Sequence, residues 1–252
     1  MGKKGEGVAT IKSITIRNAR GLNALLERPK KKIAEAIVSG LAGAISLGRG
    51  ELVLMSGRIA QAVIRGNFLQ QAGIEIKYLI EKGKIKDNYT ETKYGFQSLA
   101  ELLRFIDEEA PDEDRFLAIQ AMFFAINSTD AKTGEEILNY QLFQLAKRLT
   151  SSQLLVLRIS YDFFKSHLFH SPAGTSADYW LRLVASKIGH DVLTIIAQDE
   201  SALMDKGLIS GRLYSDRSGI MPQNARLTDL GIKFCENIEK YQAIIKDLYK
   251  SQ

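Results

Sequence analysis

At 252 residues, with 45% hydrophobic side chains and a net charge of +5, the chain has the makeup of a globular protein that buries a core. Its one cysteine, Cys235, excludes an internal disulfide framework and suits a reducing compartment. No continuous apolar segment follows Lys3, Lys4 and Glu6, as a secretory signal would require, so a cytoplasmic protein is expected.

The charge is uneven. Residues 1–86 hold 16 Lys/Arg against 6 Asp/Glu, residues 87–145 hold 4 against 12, and residues 146–252 hold 14 against 11. A basic end beside an acidic middle predicts either pairing within the chain or head-to-tail contact between copies.

Residues 1–7 are rich in glycine and lysine and read as a mobile arm. Residues 10–17 alternate polar and apolar, which fits a short strand or the lead-in to a helix. Residues 21–28 put Leu22, Leu25 and Leu26 on one side of a short helix. Pro29 suits the first turn of the next helix, and Lys30, Lys31 and Lys32 follow it. Cations are disfavoured at that end of a helix dipole. The turn is therefore either a solvated basic patch or a contact for an anionic partner such as nucleic acid.

Ala36, Gly40, Ala44 and Gly48 recur every four residues, with Gly43 beside them. Small residues at that spacing allow close helix approach, which predicts a packing interface at Gly40, Gly43, Ala44 and Gly48. The uncharged run across it is 13 residues long. A membrane-spanning helix takes about 20. A buried helical hairpin is therefore preferred over one that enters membranes on demand.

Met55, Ile59, Val63 and Leu69 mark the inner side of the following helix. After a polar loop at residues 87–94, residues 96–106 form an amphipathic helix with Leu99, Leu102, Leu103 and Ile106 inward. Asp107, Glu108, Glu109, Asp112, Glu113 and Asp114 crowd around Pro111, which fits the first turn of a helix. Carboxylates suit that end of the dipole. No histidine or calcium-loop glycine accompanies them, so they mark a helix start and not a metal site. Residues 116–126 are strongly apolar. Residues 135–149 form a helix bearing Ile137, Leu138, Leu142 and Leu145.

From Thr150 the pattern becomes that of a winged helix. Thr150 with Gln153 makes a capping box for residues 154–164. Thr175 with Asp178 opens residues 179–188, which Gly189 ends. Asp191 caps a helix running to residue 205, with Val192, Ile195, Ile196, Leu203 and Met204 at helical spacing. Lys206 and Gly207 suit its end. Residues 208–213 and 224–227 read as two wing strands around turn residues 215–219. Thr228 or Asp229 caps the final helix, whose face carries Leu230, Phe234, Ile238, Tyr241, Ile245 and Leu248.

Chemistry-bearing arrangements are absent from this pattern. Cys235 lies beside Phe234 on an amphipathic helix and reads as a packed thiol. His167, His170 and His190 lack the further ligands of a zinc site. No phosphate-binding loop, nucleophile elbow or metalloprotease helix occurs. No catalytic, cofactor or metal residue is assigned, and a non-enzymatic protein is expected.

The expected fold is mainly α. A basic N-terminal arm and short helix cover residues 1–32, and a helical domain covers 33–149. A C-terminal winged helix-turn-helix, with a two-stranded wing and a last helix, covers 150–252. Winged helices often bind DNA. Residues 191–205, the helix that would enter the major groove, contain no Lys or Arg, and Asp199 and Glu200 would repel phosphates. Arg212, Arg217 and Arg226 of the wing, with Lys30, Lys31 and Lys32, are the residues that could touch a nucleic-acid backbone. The unit fits a structural or protein-contact module better than a sequence reader.

Four stretches carry a family resemblance: FFAINSTD at residues 123–130, LAKRL at 145–149, SSQL at 151–154 and LTDLGIKFC at 227–235. From about residue 99 onward the chain resembles the abortive-infection alpha family of bacterial and prophage helical proteins. In that family, too, a helical segment precedes a helix-turn and a similar Leu-Thr-x-x-Gly-x-x-Phe ending. The resemblance implies a cytoplasmic bacterial protein linked to phage defence and implies no catalytic residues. The function expected is a defence or regulatory component acting through protein contacts and self-association. The alternatives are a nucleic-acid-binding regulator and a conditional membrane effector using residues 36–48.

Overall fold

The computed structural model describes residues 57–109, 111–132, 134–166, 177–189, 193–211 and 226–250, with residues 57–65 and 177–179 described by their backbone alone. Among these the chain is mainly helical. The helices are α1 (Gly57–Glu81), α2 (Lys93–Glu109), α3 (Glu113–Asn127), α4 (Glu135–Arg148), α5 (Ser151–Lys165), α6 (Ala177–Ile188), α7 (Leu193–Asp205) and α8 (Asp229–Lys250). One 3-10 turn, Tyr89–Glu91, precedes α2. Several expectations lie outside the described residues. They are the segments at 10–17 and 21–28, Pro29 with its three lysines, the small-residue stripe at 36–48, Met55, the three histidines, the caps Thr175 and Asp191, and the wing from 212 to 225.

α3 is the centre because it has no polar side to show to water. Its sequence EDRFLAIQAMFFAIN is apolar all round after the first turn, and such a helix is stable only inside. Phe116 and every residue from 118 to 127 are buried, and α2, α4, α5 and α8 pack around it. Its start uses the acidic run as expected, with one shift. Asp112 is the N-cap and accepts from the Arg115 N–H at 3.0 Å. Pro111 therefore precedes the cap and does not occupy the first turn.

The surrounding helices are amphipathic. α2 buries Leu99, Leu102, Phe105 and Ile106. α4 buries Asn139, Leu142, Phe143 and Ala146, a stripe at helical spacing. Ile137 falls off that stripe and is 52% exposed. One hydrophobic core runs without interruption from Ala72 on α1 to Ile245 on α8.

Two helices begin in the same way, and a glycine is required in each. Thr92 accepts from the Gly95 N–H (3.1 Å) and donates to the Tyr89 carbonyl (2.9 Å). Thr228 accepts from the Gly231 N–H (3.0 Å) and donates to the Gly207 carbonyl (2.7 Å). A Cβ on Gly95 would sit 2.0 Å from the Tyr89 carbonyl oxygen, and one on Gly231 would sit 2.1 Å from that of Leu208. Thr-x-x-Gly therefore caps a helix and docks its first turn on the preceding backbone. This explains the LTDLG stretch physically.

No strand occurs among the described residues. Two isolated antiparallel bridges do, Ile85 with Ser128 and Ile209 with Leu227. Of the two expected wing strands, only the second bridge is described. There the Ser210 N–H donates to the Arg226 carbonyl (2.6 Å) and the Thr228 N–H to that of Leu208 (3.2 Å).

The acidic middle is paired within the chain at several points. Glu136 meets Lys86 at 2.7 Å, Glu101 meets Lys147 at 2.7 Å, Asp130 meets Lys240 at 3.3 Å and Glu135 meets Lys233 at 3.9 Å. These carboxylates are engaged without a second copy.

Candidate functional site

Among the described residues, two places that combine burial with polar chemistry are the assembly of α5, α6 and α7, and a cleft between α1, α3 and α8.

α7 packs on α5 and α6. The capping box of Thr150 and Gln153 forms at the start of α5. Gly189 (φ 74°) and Gly207 (φ 68°) adopt the left-handed conformation that ends α6 and α7. The inner side of α7 carries Ile196, Asp199, Glu200 and Leu203. Asp199 accepts from the Ser152 hydroxyl on α5. Glu200, 2% exposed, pairs with the Arg226 guanidinium.

Arg226 is thereby corrected from a wing residue facing nucleic acid to an internal one, 6% exposed. Its second amino group donates to the Ser210 carbonyl at 2.8 Å and lies 3.5 Å from the Met204 sulfur. Its guanidinium carbon stands 4.6 Å from the ring centre of Trp180 on α6. Arg226 is also left-handed (φ 67°), an uncommon state for a residue with a Cβ. The cluster ties α6, α7 and the Ile209–Leu227 bridge together. Asp199 and Glu200 face this interior, so they present no charge to a ligand in front of α7.

The outer side of α7 shows Leu193 (37% exposed) and Ile195 (54%), with Thr194, Gln198, Ser201 and Asp205. The helix has no Lys or Arg along its length.

The second place is built around Glu75, a carboxyl on the side of α1 that buries Ala72, Ile76 and Leu79. It is 1% exposed. Gln71 donates to it at 2.9 Å and the Tyr249 hydroxyl at 2.5 Å, and the Tyr241 hydroxyl donates to its other oxygen. Burial and the Glu75 charge push both tyrosine hydroxyls well above their ordinary titration range. The Gln120 side-chain amide lies 2.9 Å from the Tyr241 hydroxyl. A cleft of about 830 Å³ opens over this cluster.

Cys235 is 5% exposed, and burial, reinforced by nearby carboxylates including Asp162, pushes its thiol up to about 12. It is packed and inert, as its position on an amphipathic helix predicts.

Of the nucleic-acid and helix-packing candidates, only Arg226 falls among the described residues. Lys30, Lys31, Lys32, Gly40, Gly43, Ala44, Gly48, Arg212 and Arg217 lie outside them. Sequence reasoning missed Glu75, Gln120 and the roles of Tyr241 and Tyr249. The one local signal was a glutamate at helical spacing among apolar residues; its tyrosine partners are more than 160 residues away along the chain. No helix among the described residues is long and apolar enough to cross a membrane. Compared with protein-family models, curated proteins and solved structures, the chain matches none.

Proposed function

We propose that this protein is a non-enzymatic bacterial component, of the phage-defence or regulatory kind, that works in the cytoplasm through protein contacts and self-association. In this reading residues 150–252 form a winged helix-turn-helix in which α7 is the presented helix, and the wing continues from the Ile209–Leu227 bridge. The observation that carries it is the outer face of α7. That face offers Leu193 and Ile195 and no cation. Phosphate contacts take Lys or Arg, whereas exposed aliphatic side chains on a presented helix suit another protein surface. The resemblance at residues 123–154 and 227–235 supplies the defence setting.

Sedimentation equilibrium of the full chain at low and high salt tests it, at about 20 μM, where contacts of micromolar strength are populated. An associated species is expected, and Ile195→Asp dissociates it while leaving the thermal unfolding curve in place, because Ile195 is already half in water. Gly40→Leu with Gly43→Leu gives the corresponding test of the small-residue stripe. A monomer under both salt conditions removes the reading. Saturable binding of a mixed-sequence duplex that falls steeply with salt would replace it with the nucleic-acid regulator.

A further inference from the structure

We propose that the cleft between α1, α3 and α8 is a binding site for an organic cation, an ammonium or guanidinium group. The inference is independent of what α7 contacts.

The lining has one sign. Glu75, Asp112 and Glu113 contribute carboxyl groups, and no Lys, Arg or His lines the cleft among the described residues. An anion would meet carboxyl groups from α1 and from the start of α3. At about 830 Å³ the space matches a small ligand or the end of a long side chain. Phe68 and Phe116 also line it, with ring centres 4.5 Å apart. Aromatic faces beside carboxylates are the surroundings in which organic cations lose water at least cost.

The floor gives a second, separate indication. The Tyr241 hydroxyl has one hydrogen, and Glu75 takes it. Toward Gln120 the hydroxyl can therefore only accept, so the Gln120 amide must turn its NH2 to Tyr241. Whichever way that amide is placed, one of its two polar atoms has no partner among the described residues, although Gln120 is only 1% exposed. In the orientation the network requires, the unpartnered atom is the carbonyl oxygen, an acceptor. Buried acceptors without partners are costly, so a donor belongs there.

Glu75 points the same way. Its donors, Gln71, Tyr241 and Tyr249, are all neutral. None of these partners sets a formal positive charge against the Glu75 carboxyl, and Glu75 lines the cleft. The site thus presents negative potential and an empty acceptor to a ligand that carries positive charge and N–H groups. An ammonium or guanidinium supplies both. A metal ion would need several free ligand oxygens, and those of Glu75 already accept three hydrogen bonds.

Isothermal titration of the full chain with n-butylammonium and n-butylguanidinium, and with blocked Gly-Lys-Gly and Gly-Arg-Gly peptides, tests this. At least one probe is expected to bind saturably below about 10 mM. Peptides binding about ten-fold tighter than the free amines would assign the cation to a partner protein's side chain. Equal or weaker peptide binding would assign it to a free metabolite-sized amine. Glu75→Gln should weaken binding at least about ten-fold, and Phe68→Leu about three-fold. Glu113→Gln, at an exposed first-turn position of α3, should weaken it measurably and serves where Glu75→Gln fails to fold. The absence of saturable binding by all four probes, or affinity unchanged in Glu113→Gln and Phe68→Leu, overturns the proposal.

Discussion

Glu200 and Glu75 are equally deep, 2% and 1% exposed, yet they are stabilised in opposite ways. Glu200 has a guanidinium against it, itself stacked on Trp180 and anchored to the Ser210 carbonyl. Glu75 has three neutral donors, Gln71, Tyr241 and Tyr249, and no cation among them. The first arrangement is charge-balanced and closed. It locks α6, α7 and the bridge in one geometry and leaves nothing for a ligand. The second sets no positive charge against the carboxyl, and the cleft beside it is lined by Asp112 and Glu113 as well. Burial alone therefore does not mark a carboxyl as functional, and the sign of its partners separates a structural lock from a receptive site.

The largest expected effect comes from breaking the closed pair. Arg226→Met leaves Glu200 buried without its cation, which should cost about 3–5 kcal/mol. Urea unfolding followed by circular dichroism measures it. Replacing both residues, Arg226→Met with Glu200→Met, should recover most of that loss, since neither charge is then stranded. If the double variant is as unstable as the single one, the pair is not the lock described. The left-handed backbone at 226 is common to both variants and cancels between them.

On the Glu75 side, Tyr241→Phe removes one hydroxyl and nothing else. Glu75 keeps Gln71 and Tyr249, so the loss should be smaller, about 2 kcal/mol. Tyr241 is fully buried, and its ring packs against Phe124 at 5.8 Å, which the substitution preserves. The unfolding midpoint in urea reports the change. A loss as large as that of Arg226→Met would mean that the hydroxyl network is as indispensable as the ion pair, and the contrast would fail.

Most of the helical scaffold was legible in sequence because each part is a local pattern. The apolar run of α3 leaves no alternative to burial. The capping box at Thr150, the left-handed Gly189 and Gly207, and the threonine cap of α8 each occupy a few consecutive residues. What was illegible is long-range. Arg226 sits among turn residues and reads as a surface cation, because its partners Trp180, Glu200 and Ser210 come from separate elements. Asp199 and Glu200 read as an outward acidic face for the same reason. Asn139 was illegible for the same reason: it sits on the stripe of α4 that meets α3, and its amide donates to the Ala125 carbonyl at 3.0 Å.

Glu101 sharpens the comparison, because it combines both kinds of partner. Lys147 donates to it at 2.7 Å, Gln144 at 2.7 Å and the Tyr140 hydroxyl at 2.6 Å. Partial burial alone would raise this carboxyl. The hydrogen bonds from Lys147, Tyr140 and Gln144, with the Lys147 charge, outweigh burial and hold it at about 2, below its ordinary 4.5. A depressed folded-state value means that the unfolded chain binds the proton more readily. The stabilisation is therefore complete above 4.5 and is lost as pH falls through that value toward about 2. Glu101→Gln should cost roughly 1 kcal/mol at neutral pH, because the site is partly open to water and only the charge is removed. Measured against the wild type in urea at successive pH values, the difference should shrink below 4.5 and approach zero near 2. Other carboxylates titrate in both proteins and cancel in that difference. A gap that stays constant down to the lowest pH would show that shape, and not charge, holds α2 to α4 at this point.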